Sequence, residues 1–300
     1  MGAYLLGSRS TFAGIVPGPG NYIGLDMVTS SGNVEGLSLG GLPIRADTDI
    51  DVTFTKFSYT RVLDATVWTG TPAINFNLPL ILDAKLGFTG VTGPVNGLDI
   101  EDTTSGLGDL TITPTVGWHK GMLHYSVGMS IFAPTGSYDT ATVDVPGRTI
   151  NALNTGKNIW SFQPVFAITH MNTNTGLEFS GAASILFSTR NDATDYQNAP
   201  ALNLEATVMQ HLPSGWAFGM SGYAYQQLDD DSGSGATSTK AALGANSLKA
   251  HVYGIGPAVT FSQARIFGKE ASLQFKYYHE FGAKRRFESD TFWLNVGFSF

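Results

Sequence analysis

The sequence predicts an all-β fold, a transmembrane antiparallel β-barrel of about 12 strands with short periplasmic turns and long extracellular loops. Three observations lead to this fold. Apolar residues alternate with small or polar ones in one segment after another. The links between these segments alternate between short and long. Charged residues make up only 14% of the chain, well below the roughly 25% that is usual in soluble domains.

The C-terminal segment shows the alternation most clearly. Its apolar positions are Phe292, Leu294, Val296, Phe298 and Phe300, and the residues between them are small or polar apart from one tryptophan. Strict alternation describes a strand with one apolar face. An aromatic end resembles the closing strand of bacterial outer-membrane barrels. Phe298 and Phe300 are therefore the predicted signal for a partner, the barrel assembly machinery.

The same pattern recurs along the whole chain. Many of the segments approach the roughly 9–11 residues with which a tilted strand crosses a bilayer. Links after the even-numbered strands are short, whereas most links after the odd-numbered strands are long and polar. This sorting predicts periplasmic turns on one side and outer loops on the other. The predicted strands cover residues 21–29, 49–63, 66–84, 108–119, 122–134, 158–170, 175–188, 200–211, 215–228, 248–264, 270–282 and 289–300.

Composition excludes several other classes of protein. No apolar run approaches the roughly 18–20 residues of a membrane helix. The chain has no cysteine, and so neither a disulfide framework nor a thiolate metal site. A net charge of −7 without a basic stripe argues against a nucleic-acid partner. The N-terminus has neither the basic region nor the apolar core of a signal peptide. We therefore expect an integral protein of the bacterial outer membrane whose signal peptide has been removed.

Three tryptophans agree with a membrane barrel. Trp118 and Trp216 fall at the predicted periplasmic ends of their strands, and Trp160 falls at an outer end. An indole combines an apolar body with one polar N–H and therefore prefers the membrane interface. We predict an interface girdle from these residues. The alternative is that they form part of the core of a soluble barrel.

Two irregularities interrupt the pattern. The phase of the second strand changes between Phe54 and Phe57, which predicts a β-bulge. Several prolines also lie inside predicted strands, where each removes a donor from the ladder. They indicate either bulges and kinks or a local break in the wall that opens from the lumen to the lipid. Among them are Pro79, Pro114, Pro164 and Pro257.

A series of short motifs resembles one family of outer-membrane channel proteins, associated with the meta-pathway of phenol degradation. Each motif is weak alone, but their order and spacing together are specific. The resemblance implies a β-barrel channel that takes up small hydrophobic or aromatic compounds. The motifs occupy residues 2–7, 13–22, 106–110, 114–119, 133–138, 156–160, 229–233 and 254–257, with a looser match at 194–199.

The inside of the barrel supplies the candidate site. Residues 1–20 are rich in Gly and Pro and are predicted to plug or constrict the barrel formed by residues 21–300, the alternative being a disordered tail. Charged groups at mid-membrane depth must face the lumen. They either line a pore or pair with one another. The predicted channel-lining residues are Lys56, Arg61, Asp109, His119, His124, Gln163, Glu178, Glu205, Lys276 and Glu280.

Passive uptake of small hydrophobic or aromatic compounds is the expected function, with no cofactor and no metal. A narrow porin for hydrophilic or anionic solutes and a non-conducting surface barrel stay open as alternatives. His124 and Ser126 have the spacing seen in outer-membrane phospholipases, but they lie near the periplasmic side and face the lumen, so we expect no enzyme. The acidic residues 229–235 indicate an outer loop near lipopolysaccharide, and residues 284–286 indicate contact with its phosphates. Homo-oligomers are possible.

Overall fold

The structure is a computed structural model, and it describes residues 4–39, 42–89, 100–144, 147 and 149–300. Side chains are not described for 35–39, 42–47, 89 and 143. The start of the predicted N-terminal domain, residues 1–3, therefore lies outside the described residues. So do residues 40–41, 90–99, 145–146 and 148 of the predicted outer loops.

Antiparallel strands dominate the described residues. They are β1 (Gly20–Leu39), β2 (Leu42–Val62), β3 (Thr71–Thr89), β4 (Ile100–Leu107), β5 (Leu110–Lys120), β6 (Leu123–Ala133), β7 (Thr142–Asp144), β8 (Thr149–Asn151), β9 (Ser161–Asn172), β10 (Leu177–Ser188), β11 (Ala201–His211), β12 (Trp216–Gln227), β13 (His251–Ile266), β14 (Lys269–Lys284) and β15 (Glu288–Ser299). One helix, α1 (Ser234–Leu243), follows β12.

The sheet closes on itself. β1 pairs with β2 on one side and with β15 on the other, and β4 and β5 lie end to end against β3. Counting that pair as one interrupted strand gives a closed barrel of 12 strands. Backbone hydrogen bonds between Asn21 and Phe300, in both directions, join the first strand to the end of the chain. The predicted barrel is confirmed.

Burial in this barrel is inverted relative to a soluble protein. On β9, Ser161, Gln163 and Thr169 are fully buried, whereas the alternating Phe162 and Phe166 are exposed. The polar residues face the lumen, and the apolar residues face outward where lipid surrounds a membrane barrel. A period of two along each strand produces both faces.

The first two strands are longer than predicted, and the third is displaced by five residues toward the C-terminus. β1 and β2 pair as neighbours and extend through residues 30–39 and 42–48, which belong to a link that the sequence predicts to be a loop. β3 runs on to Thr89, and β4 occupies the end of the predicted loop 85–107. Polar alternation in these segments continues the pleat above the apolar band. It carries the wall beyond the membrane.

The predicted bulge lies on the neighbouring strand. Phe54 is buried on the lumen face and Phe57 is 51% exposed on the outer face, so β2 keeps its phase. The additional residue is Leu82 of β3, because Ile81 pairs with Phe54 and Asp83 pairs with Thr53. The prediction of a bulge in the second strand is therefore wrong in its placement. Two phenylalanines an odd number of positions apart belong to opposite faces.

The strand prolines interrupt pairing in two ways. Pro79 lies where β3 changes partner from β5 to β4, and its carbonyl accepts a hydrogen bond from Gly108 N at 2.9 Å. At Pro114, Pro164 and Pro257 the pairing with one neighbouring strand is interrupted, and it resumes in the same register. Only the first proline accompanies a change in the course of the wall.

The outer loops carry structure of their own. Between β6 and β9, residues 134–160 contain the small β7–β8 hairpin and contact β4. Between β12 and β13, helix α1 reaches across the mouth to β2. Among the described residues no helix has the length and apolar character to cross a membrane. The loops therefore cover the outer end, while the opposite turns, such as Lys120–Leu123, are tight.

Candidate functional site: the occupied lumen

Residues 4–19 precede the first strand and contact side chains on the lumen face. We call them the N-terminal segment. Tyr4, Leu6 and Val16 of this segment are buried. Two of its glycines permit close contact. A Cβ on Gly14 would lie 2.6 Å from the backbone of Ile168, and Gly7 has a φ of 79° beside the ring of Tyr278.

Glu205 of β11 is the main anchor of the N-terminal segment. Its carboxylate accepts hydrogen bonds from the Tyr4 hydroxyl at 2.6 Å, the Gly7 amide at 3.2 Å and the Arg9 amide at 2.6 Å. Glu205 is only 6% exposed. Burial, and then the nearby Glu205, raise the pKa of Tyr4 well above 10, so the phenol stays a donor. A buried carboxylate with several donors is the favourable arrangement for such a charge.

A second anchor lies on β10. The Glu178 side chain is fully buried and accepts a hydrogen bond from the Phe12 amide at 2.6 Å. Its other oxygen lies 2.6 Å from Nε2 of His211. Two residues after Phe12, the Gly14 amide donates to the hydroxyl of Thr169 at 3.0 Å. The wall thus supplies acceptors to successive amides of a segment that forms no sheet of its own.

Lys276 contacts the N-terminal segment from another strand, β14. Its ammonium donates to the Gly7 carbonyl at 2.6 Å and to Ser10 Oγ at 3.2 Å. It also lies 4.1 Å from the ring of Trp293, within range of a cation–π interaction. Donors and acceptors of the segment are therefore satisfied from different strands of the barrel.

Trp293 organises the charged groups beneath this contact. Its indole N–H donates to Asp26 at 2.7 Å, and Asp26 also pairs with Lys56 at 3.0 Å. Lys56 lies 5.3 Å from the same indole ring. Each buried charge here has a polar partner, as burial requires.

Two histidines hold the lower end of the segment. Nε2 of His119 lies 2.9 Å from the Val16 carbonyl, and its Nδ1 lies 2.6 Å from Nδ1 of His124. Because a carbonyl only accepts, Nε2 of His119 carries the proton and Nδ1 of His119 accepts from His124. Val16 also packs against Gly117, whose missing side chain leaves the necessary space.

An apolar surface covers one side of the lumen in its outer half. It is formed by inward residues of β1, β2, β3 and β15, and we call it the apolar wall. Leu5 of the N-terminal segment packs against it from below, and the loop between β6 and β9 covers it from outside. Its members are Val28, Ile50, Val52, Phe54, Ala84, Leu86, Phe88 and Trp293.

Two predicted channel-lining residues need correction. Arg61 lies on the outward face of β2, with Nη1 3.0 Å from Asn21 Oδ1. It sits at the strand end, where a long side chain can keep its charge at the interface. Asp109 lies between β4 and β5 and accepts hydrogen bonds from the amides of Gly136 and Lys157, both at 3.0 Å. It fastens an outer loop and does not face a bore.

The other predicted residues have inward side chains. Gln163 donates to Ser184 at 2.8 Å, and Glu280 accepts from Tyr223 and from Ser289. Tyr4, Arg9 and Trp293 also belong to the lumen site, although they are not among the predicted channel-lining residues. The alternation of the last strand places Trp293 on the inward face and could have identified it. No sequence pattern indicates the contacts of Tyr4 and Arg9.

The three girdle tryptophans occupy outward positions. Trp160 is 46% exposed, the ring of Trp216 lies 4.7 Å from that of Phe261 in a tilted arrangement, and Trp118 lies against Tyr125. The indole N–H of Trp118 donates to the carbonyl of Trp68, which is 80% exposed in the β2–β3 turn. Trp68 is thus a neighbour of the predicted girdle that the strand pattern did not reveal.

Carboxylates in the outer loops bind other loop residues. Asp230 accepts hydrogen bonds from Lys240 and from the Leu248 amide. Burial alone would raise the pKa of Asp230, but these hydrogen bonds outweigh it and the pKa is lowered. Burial raises the pKa of Asp231, which accepts from Tyr196. The expected exposed acidic loop is therefore partly internal. Only Asp229 is largely exposed, at 84% of its side chain.

Comparison with known families identifies the chain. Residues 27–296 match the family described as putative MetA-pathway of phenol degradation. The chain belongs to this family. The resemblance seen in its sequence motifs is thereby confirmed. Comparison with curated protein sequences gave no match.

Comparison with solved structures found several that are similar to this family member. The COG4313 outer membrane channel from Pseudomonas putida F1 has a TM-score of 0.70 at 15% identity, over 99% of this chain and 100% of that chain. The translocator domain of the autotransporter NalP from Neisseria meningitidis has a TM-score of 0.46 at 12% identity, over 95% and 90%. A FadL homologue from Pseudomonas aeruginosa has a TM-score of 0.42 at 9% identity, over 93% of this chain and 89% of that chain.

This family member has the closed β-barrel fold of an outer-membrane channel. The lipase-like spacing of His124 and Ser126 corresponds to no catalytic geometry, because His124 bonds to His119 and Ser126 is buried in the lumen. Within the described parts of the chain, no group of three or more His, Asp or Glu side chains is arranged to hold a metal ion.

Proposed function

We propose that this barrel conducts small hydrophobic or aromatic compounds passively across the outer membrane. One observation carries the proposal: the outer half of the lumen has an apolar wall that includes Phe54, Leu86 and Phe88. A channel for sugars or ions has no use for such a surface, since polar solutes gain nothing from apolar contact. The family description, with its link to phenol degradation, agrees with this class of solute.

The N-terminal segment is proposed as the constriction of this channel. Its contacts with Glu205, Glu178 and Lys276 come from three different strands and cross the lumen. A polar solute would have to displace these hydrogen bonds together. The alternative of a disordered tail leaves the buried carboxylates without their donors, at an energetic cost.

The narrow porin and the non-conducting barrel make different predictions, and an uptake assay separates them. The protein is placed in vesicles whose outer leaflet is lipopolysaccharide, because simple phospholipid bilayers already admit toluene. Entry of toluene and of a small sugar is measured with residues 1–20 present and deleted. We expect the intact protein to admit toluene and exclude the sugar, and the deletion variant to admit both.

Each contrary result points to one alternative. Sugar entry through the intact protein that matches toluene entry would support the porin. Failure of both solutes to enter, before and after the deletion, would support a structural barrel. Equal sugar exclusion by the two variants, with toluene entering both, would remove the role of the N-terminal segment and leave the channel.

We also propose that the barrel contacts lipopolysaccharide and the barrel assembly machinery. Lys284 is exposed beside the outer link, whereas Arg286 lies 4.6 Å from the ring of Tyr225. Lys284 is therefore the better candidate for lipopolysaccharide phosphate, and replacing residues 284–286 with Ser should weaken lipopolysaccharide retention. Phe298 and Phe300 are proposed as the signal for the assembly machinery. Homo-oligomers stay a prediction that native mass spectrometry can test.

A further inference from the structure

Among the described residues the apolar wall belongs to the largest apolar cluster of the lumen; a second cluster, with Phe132, Tyr223, Val252 and Tyr278, packs around Tyr4 and Leu6 of the N-terminal segment. Across the barrel, the inward side chains of β9, β10 and β11 include Ser, Thr, Gln and Glu residues. On the apolar wall, by contrast, Leu86 is fully buried and Val52 and Phe88 are each 2% exposed. An apolar molecule inside the barrel therefore finds its largest favourable contact on this one surface.

Two parts of the protein that lie outside the barrel strands pack against that surface, and we call them the covers. The first is Leu5 in the N-terminal segment. The second is the stretch that carries Ile150, Ala152 and Leu153 in the loop between β6 and β9. Neither cover belongs to the barrel, because the segment forms no strand and the loop strands β7 and β8 pair only with each other.

The covers are held differently from the wall. The amides of Ala152 and Leu153 both donate to one oxygen of Asp102 at 2.7 Å. The start of the N-terminal segment depends on Glu205 in a similar way. Strands β1, β2 and β3, in contrast, are hydrogen-bonded along both edges. Displacing a cover breaks a few hydrogen bonds, whereas displacing the wall would break whole ladders.

We propose that the apolar wall is the binding site for the transported solute, a small uncharged apolar or aromatic molecule. When no solute is bound, Leu5 and Ile150 cover this site. The inference rests on the proposed function and names where that solute binds. A solute arriving from outside replaces the Ile150 contact first and the Leu5 contact next. It exchanges apolar contact for apolar contact, so opening costs chiefly the anchoring hydrogen bonds.

Single cysteines test this exchange cleanly, because the natural chain contains none. Leu5→Cys and Ile150→Cys place thiols on the two covers. Leu248→Cys is the matched control, since Leu248 is 5% exposed in another outer loop and lies outside the apolar wall. The rate of modification by a water-soluble maleimide is measured in the lipopolysaccharide vesicles with and without toluene.

Toluene should accelerate modification of both cover cysteines and leave the control unchanged. If toluene binds only when the covers are displaced, a concentration ten times its dissociation constant gives roughly a tenfold increase in rate. Adding Val52→Thr keeps the shape of the wall but introduces a hydroxyl, and it should greatly reduce the toluene effect. Glucose should have no effect.

Three results would overturn the inference. Toluene could leave both cover cysteines unchanged, it could accelerate the control equally, or its effect could survive Val52→Thr in full. Toluene entry into the same vesicles is measured alongside. If toluene enters while the covers stay unreactive, the binding site is wrong and the channel stands. If toluene does not enter at all, the proposed function itself fails.

Discussion

The Tyr4 hydroxyl donates a 2.6 Å hydrogen bond to Glu205, although 201 positions separate the two residues in the sequence. Through this bond and the neighbouring amide contacts, the N-terminal segment is held inside the barrel that the later residues build. The lumen is therefore occupied by the protein itself.

Replacing Glu205 with Gln should release the N-terminal segment. The carboxylate accepts from three donors, and an amide has only one oxygen that can accept. Hydrogen bonds to a charged group are worth about 1.5–3 kcal/mol each. Sugar entry into vesicles should rise in this variant. Glu280→Gln is the control, because Glu280 is similarly buried but bonds to Tyr223 and Ser289. Equal sugar entry in the two variants would contradict the anchoring role.

Enlarging Gly14 should have the same effect by a steric route. A Cβ at Gly14 meets the backbone of Ile168 at 2.6 Å, whereas one at Gly18 meets nothing within 4 Å. Backbone in a paired strand cannot move aside, so Gly14→Val must push the segment away from β9. Sugar entry should increase for Gly14→Val and stay at the natural level for Gly18→Val. If the Gly14 variant still excludes sugar, the segment does not depend on this contact.

Trp293→Phe should destabilise the folded barrel. The change retains a large aromatic ring but removes the N–H that donates to Asp26 at 2.7 Å. Asp26 keeps Lys56 and Asn295 as partners. The free energy of unfolding should fall by about 1.5–3 kcal/mol, the contribution of a hydrogen bond to a charged group. Urea unfolding followed by gel mobility measures it. Trp160→Phe, at an exposed position, should change the stability much less. The reverse order would disprove the structural role of the bond.

Helix α1 should loosen in acid. The amide and hydroxyl of Ser234 donate to Asp195 at 2.8 and 2.6 Å, and these bonds hold the pKa of Asp195 below its ordinary 3.8. A lowered pKa means that the stabilisation is present above pH 3.8 and is lost as the pH falls through the folded-state value. A spin label at Ser238→Cys should become mobile only well below pH 3.8. Asp195→Ala should make it mobile at neutral pH. A label equally immobile in both cases would refute the link.

Much of the barrel was predictable because alternation is a local property. Phe292 to Phe300 and the polar residues between them define two faces without reference to the rest of the chain. The inward direction of Glu178, Glu205, Lys276 and Glu280 followed because a charge cannot face lipid. The loop lengths then gave the topology. These inferences require only the period of the pattern and the solvent on each side.

The strand prediction was wrong where the alternation continues beyond the apolar band and where a neighbouring strand carries the bulge. Arg61 belongs to the outer face, because the bulge is at Leu82 on the neighbouring strand and not in β2. The long hairpin β1–β2 was divided at residue 30, since polar alternation above the membrane looks like a loop. Helix α1 was likewise hidden in a polar link. The sequence of one strand does not show which of two paired strands carries a bulge.

The sequence by itself determined that this protein is a membrane barrel with an apolar outer face, and that most of the predicted channel-lining charges face inward. Only the tertiary structure decided what those charges contact: Glu205 with Tyr4, Lys276 with the Gly7 carbonyl, and Leu5 with the apolar wall. Strand patterns arise from neighbours along the chain. The contents of the lumen depend on groups brought together by closure of the sheet, and their spacing in the sequence carries no trace of that contact.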